Sequence, residues 1–163
     1  MKQAAKKPKG KKRAPRGRAR SDTYYVVAID DWDWSVWFGV NKVPERGGPF
    51  SDYRHLLLYG KVLRPALKAD SAQLTLLPEY ALNEGNRERH NPTAIGSLQL
   101  HRGTLRGLVS LPADLLPPLL TMLTGNKLRY AVLSGDKLRY NQALLRDFRL
   151  QRALDEGDLP PED

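Results

Sequence analysis

The chain contains no cysteine, which excludes disulfides, thiolate metal sites and thiol catalysis. No apolar run approaches the roughly 20 residues of a membrane-spanning helix. Leu115 to Leu123 comes nearest, and Pro117 and Pro118 interrupt it. The charged start has no apolar stretch behind it of the kind a secretory signal needs. Catalytic signatures are missing too: there is no Gly-x-Ser-x-Gly, no Walker loop and no Gly-x-Gly-x-x-Gly. The three histidines, His55, His90 and His101, fall in separate segments, none at the i, i+4 spacing of a helical metal pair. Ser51, Asp52 and His55 stand close together, but a triad is defined by geometry and not by proximity in sequence. No cofactor, metal ligand set or catalytic residue is expected, and the reading leans away from an enzyme. A cytoplasmic setting, nuclear in a eukaryote, is the default.

Acidic residues are absent from the first twenty positions, and what stands there instead is the strongest feature of the chain. Residues 1–20 carry ten Lys and Arg: Lys2, Lys6, Lys7, Lys9, Lys11, Lys12, Arg13, Arg16, Arg18 and Arg20. The whole chain has 27 basic and 18 acidic side chains, net +9, so 17 basic face 18 acidic outside the head and the remainder sums to −1. Five of those acids, Asp155, Glu156, Asp158, Glu162 and Asp163, crowd into residues 153–163. Both ends are poor in bulky apolar residues, so a basic arm over 1–21 and an acidic tail over 153–163 are expected to be disordered around one domain at 22–152. Pro8, Gly10, Pro15 and Gly17 favour an extended arm that follows a phosphate backbone without reading bases. If roughly 6–10 of its cations engage phosphates, affinity falls about 10³–10⁵-fold between 50 and 200 mM salt. The same composition suits a nuclear address, attraction to an anionic membrane surface, or a solubilising tail.

The middle of the chain alternates in short runs. Tyr24 to Ile29 is β-branched and aromatic, and from Trp32 to Val40 apolar and polar residues alternate. Further strands are expected over His55–Leu63, Gln73–Leu77, Ser97–His101 and Thr104–Leu111, the last two joined at Arg102-Gly103. One apolar helix is expected over 113–124, beginning near Pro117 after a short turn and stopping before Gly125. Leu144 to Gln151 reads as a last strand. The fold class is mainly β, a sandwich or partly open barrel of about seven to nine strands with one short helix.

Two segments carry candidate binding residues. The first is an internal echo, Gly125-Asn-Lys-Leu-Arg-Tyr130 and Gly135-Asp-Lys-Leu-Arg-Tyr140, which suits the two strands of one hairpin. A two-residue Gly135-Asp136 turn sets Lys137 and Arg139 on the face opposite Arg129. A three-residue Ser134–Asp136 loop gathers Lys127, Arg129, Lys137 and Arg139 on one face, where their repulsion invites an anion. The second is Asp30-Asp31-Trp32-Asp33-Trp34-Ser35-Val36-Trp37. Alternation lays Trp32, Trp34, Val36 and Phe38 on a core face and sends Trp37 to the face of Asp33. An aromatic on a polar face marks an interface or a ligand contact, and Trp37 with Asp31 or Asp33 also suits a sugar ring.

The leading expectation is a non-enzymatic protein whose basic head associates with nucleic acid without sequence specificity. The alternatives are a protein-interaction or assembly module that self-associates around Trp37, its basic tail incidental, and a carbohydrate-binding β-sandwich.

Overall fold

Alternating apolar residues in this chain build seven strands whose inward faces meet in one core. The computed structural model describes residues 22–42, 48–89, 92–154 and 157, with 87–89 as backbone only. The head cations Lys6, Lys7, Lys9, Lys11, Lys12, Arg13, Arg16, Arg18 and Arg20 lie outside the described residues, as does most of the acidic tail. The strands are β1 (Thr23–Val40), β2 (Phe50–Arg64), β3 (Ser71–Glu79), β4 (Gly96–His101), β5 (Thr104–Pro112), β6 (Tyr130–Gly135) and β7 (Gln142–Gln151). The helix α1 (Leu116–Thr124) joins β5 to β6, after a 3₁₀ turn over Ala113–Leu115. The protein is mainly β with one short helix, and no helix among the described residues is long and apolar enough to cross a membrane.

The strands pair in the order β1-β2-β3-β5-β4-β7-β6, and β6 returns to β1, so the pairing runs all the way round as a closed barrel. All neighbours are antiparallel except β3 and β5, which run parallel. Arg102 (φ 48°) and Gly103 (φ 76°) make the tight turn between β4 and β5, at the position their sequence marks. The inward rows hold Tyr25 and Val27, Leu56 and Leu58, Ala72, Leu74 and Leu76, Leu98, Leu105 and Val109, Ala131 and Leu133, and Ala143 and Leu145. All of these are buried. Leu116, Leu119, Leu120 and Leu123 of α1 join this cluster, so the helix closes the end of the barrel where β5 stops and β6 starts. Pro117 and Pro118 fit the first helical turn, whose N–H groups have no intrahelical partner in any case. Past the helix, Asn126 takes the left-handed conformation (φ 53°) while Gly125 does not (φ −76°).

Three register shifts interrupt the pairing: Leu63 is extra in β2 between the Val26–Arg64 and Val27–Val62 pairs, and two more, in β1 and β7, set which side chains face inward. Ile29 pairs with Gly60 and Asp31 with Tyr59, so Asp30 is an extra residue in β1. The inward parity therefore passes from Tyr25, Val27 and Ile29 to Trp32 and Trp34. Gly60 permits this bend, because a Cβ there would lie 1.9 Å from the Ala28 carbonyl oxygen. In β7 the pairing steps from Gly135–Leu145 to Ser134–Asp147, leaving Arg146 extra. Ala143 and Leu145 point inward before the step, Phe148 and Leu150 after it. Leu144 is exposed for that reason and does not share a face with Phe148, contrary to a plain alternation.

Candidate nucleic-acid interface and the projecting arm

The hairpin expected from the internal echo does not form. The strands β6 and β7 pair Tyr130 with Gln151 and Leu133 with Phe148, so neither a Gly135-Asp136 turn nor a Ser134–Asp136 loop joins them in the expected register. The first echo leads from α1 into β6, and the second becomes the loop between β6 and β7. This places Lys127 and Arg129 before one end of β6, and Lys137 and Arg139 beyond the other. All four are exposed, but they are not gathered on one face. The period of ten reflects two copies of a strand-flanking segment, not two paired strands.

The second copy folds into a shape of its own. The N–H of Arg139 donates to the Gln142 carbonyl and the N–H of Gln142 donates to the Arg139 carbonyl, both at 2.9 Å. Between them Tyr140 (φ 50°) and Asn141 (φ 63°) both occupy the left-handed region, as a type I′ turn demands. Asn tolerates that region, whereas a tyrosine in it carries steric strain. The Tyr140 side chain touches nothing: it is 102 % exposed at the tip.

This loop walls a groove of about 520 Å³ on the outside of the barrel. Ser97 and Gln99 of β4 and Gln142 and Leu144 of β7 form its floor, Asp136, Lys137 and Arg139 its rim, and Thr23 at the start of β1 closes it. Lys137 and Arg139 form no ion pair among the described residues. The acids nearby are held instead: Arg146 binds Asp22 at 2.5 Å and Asp136 at 2.9 Å. Asp22 first and Asp136 second raise the pKa of that guanidinium still further, so it stays charged at every working pH. The loop is fixed from within the barrel. The Tyr25 hydroxyl donates to the Asp136 carbonyl at 2.8 Å and accepts from the Leu138 N–H at 2.9 Å.

The Trp–Asp segment lies at the opposite end. Pairing of β1 with β6 covers only Thr23 to Ala28, and pairing of β2 with β3 begins at Leu56, whereas β1 and β2 pair on to Val40 and Phe50. The ribbon formed by 34–40 and 50–55 therefore extends past the barrel as a two-stranded arm. Trp32 and Trp34 pack against the core as expected, but Val36 and Phe38 do not, being 59 % and 69 % exposed because no barrel remains beneath them. Phe38 stacks on Phe50, with ring centroids 5.7 Å apart. Trp37 stands exposed on the Asp33 face, opposite Tyr53, whose ring lies against His55. Asp31 and Asp33 each accept the N–H of the next residue, Trp32 and Trp34, at 2.8 Å. Those bonds occupy two outward N–H groups of a free strand edge, a use of carboxylates the sequence did not suggest. No group of three or more His, Asp or Glu suited to a metal ion occurs among the described residues.

Sequence reasoning missed Tyr140, Gln99, Gln142 and the fixing pair Tyr25 and Arg146. Tyr-Asn is not a recognisable turn signal, and the remaining positions become neighbours only through strand pairing. No family model, curated protein or solved structure matches the chain.

Proposed function

We propose that this protein binds nucleic acid non-enzymatically, holding the phosphate backbone and unstacked bases without reading sequence. One observation carries the reading. Thr23, separated from Arg20 by only Ser21 and Asp22, lines the same groove as Lys137 and Arg139. The head therefore joins the fold at this groove, and a polyanion held by the head comes within reach of Lys137 and Arg139. The head supplies ten cations and most of the counterion release, and the groove adds two unpaired cations with amides for sugar and phosphate oxygens. Tyr140, fully exposed beside Arg139, presents a ring on which a base can stack. Strain held at an exposed aromatic is more consistent with a contact role than with packing.

Fluorescence anisotropy with single-stranded and duplex oligonucleotides over a salt series tests this. Deleting residues 1–20 is expected to flatten the salt slope and weaken binding at least tenfold. Lys137→Glu with Arg139→Glu in the full chain weakens it further and favours duplex over single strand. An affinity unchanged by the deletion, or a slope flat in the intact protein, overturns the reading.

A further inference from the structure

The arm formed by 34–40 of β1 and 50–55 of β2 is a second surface, at the end of the barrel away from the groove. Six of its side chains are more than half exposed: Val36, Trp37, Phe38, Val40, Phe50 and Tyr53. A two-stranded ribbon without a second layer is marginal in water, since neither face has anything to bury against. Strand pairing puts Val36, Phe38, Val40 and Phe50 on one face of the ribbon and Trp37 and Tyr53 on the other. The first four expose roughly 500 Å², given side-chain areas of about 150–250 Å² for aromatics. A twofold contact that covers this face on two chains removes roughly 1,000 Å², the area at which a specific interface becomes sustainable.

Charge separates the possible occupants. The charged residues of the arm's two strands are Asp52 and Arg54, which bind each other at 2.5 Å, and the exposed Lys42 follows at the tip. Arg54 also lies 5.1 Å over the Tyr80 ring, which fixes the base of the arm to the barrel. The strands themselves are net neutral and aromatic, so they offer a phosphate backbone little to hold, yet two copies meet there without repulsion. The strand edge fits as well. Asp31 and Asp33 block the edge near the barrel, but the two-residue period carries the row of outward N–H groups on to Val36 and Phe38, where no carboxylate side chain follows.

We infer that the arm is a homodimer interface: a second copy of this chain docks arm against arm across a twofold axis. This goes beyond the groove reading and does not depend on it.

Sedimentation velocity of the full chain over a concentration series tests this, at high salt so that bound nucleic acid does not contribute. A dimer is expected, with Phe38→Asp weakening it at least tenfold while circular dichroism stays unchanged. Since the chain has no cysteine, a single Val40→Cys supplies an independent readout in case Phe38→Asp fails to fold. Mild oxidation is expected to give a covalent dimer from Val40→Cys and none from Gln142→Cys in the groove. A wild-type chain that stays monomeric overturns the inference. So does a dimer indifferent to Phe38→Asp, or equal cross-linking at both cysteines. Protection of the arm from proteolysis only when oligonucleotide is added overturns it in favour of a nucleic-acid contact.

Discussion

The hydroxyl of Tyr25, from a wholly buried side chain in the barrel, donates to the carbonyl of Asp136 at the groove rim across 2.8 Å. The same oxygen accepts from Leu138, so one side chain holds both ends of the turn from which Lys137 projects. Tyr25→Phe fills the same space but leaves both backbone groups without that partner. Urea denaturation is expected to show a loss of about 1–3 kcal/mol. Amide exchange at Leu138 should accelerate more than the global loss accounts for.

The same phenol gives a pH dependence. Burial chiefly, and the nearby Asp136 carboxylate secondarily, push its pKa above the ordinary 10.0, against the opposing effect of the bond from Leu138. The folded chain therefore keeps a proton that the unfolded chain releases. This contribution to stability is complete below pH 10 and is lost as pH rises beyond it. Stability measured upward from pH 9 should fall more steeply for wild type than for Tyr25→Phe; equal slopes would exclude this role.

Tyr140 separates stability from binding. Glycine accepts a φ of 50° freely, and the fully exposed ring contributes no packing. Tyr140→Gly should therefore stabilise the fold by about 0.5–1 kcal/mol. Loss of a stacking platform worth about 1–3 kcal/mol should lower single-strand affinity about 5–160-fold. Thermal melts and anisotropy on the same sample check both signs, and a variant that binds as well as wild type would remove Tyr140 from the interface.

Gly60 sits across from the β1 bulge with no room for a methyl group against the Ala28 carbonyl. Gly60→Ala is expected to cost about 2–4 kcal/mol through backbone displacement. Because the bulge also turns Trp32 and Trp34 inward, tryptophan emission should shift to the red in the folded variant.

The acidic tail leaves β7 at Gln151, paired with Tyr130, and the basic head enters β1 beside Gly135, the other end of β6. Six residues of strand span about 17–20 Å, well within the extended reach of twenty residues. Removing 153–163 should tighten oligonucleotide binding a few-fold at low salt and leave it unchanged at high salt. A change that persists at high salt would rule out competition between tail and head.

Local chemistry was legible wherever one segment decided its own structure. Two prolines at the start of an apolar run placed α1, and Arg102-Gly103 placed a turn, since Gly takes positive φ without strain. Alternation after Asp30 sent Trp37 to the face of Asp33 and away from Trp34, though it did not give its exposure, which both faces share beyond the barrel. The same alternation failed for Leu144, because a bulge at Arg146 reverses parity and no residue type announces it. It also failed for Val36 and Phe38, whose exposure follows from where β6 and β3 stop pairing, not from anything within β1.

The sequence alone determined a charge-segregated chain with a mainly β middle, because composition and period act over a few residues. Tertiary structure decided that the strands close into a barrel, through the parallel pairing of β3 with β5 and the return of β6 to β1. It also decided that Thr23 and Arg139 line one groove and that an aromatic arm stands clear of the core. Contacts between distant segments depend on which strand edges meet, and that choice is made by packing summed over the whole barrel, which no short window of sequence displays.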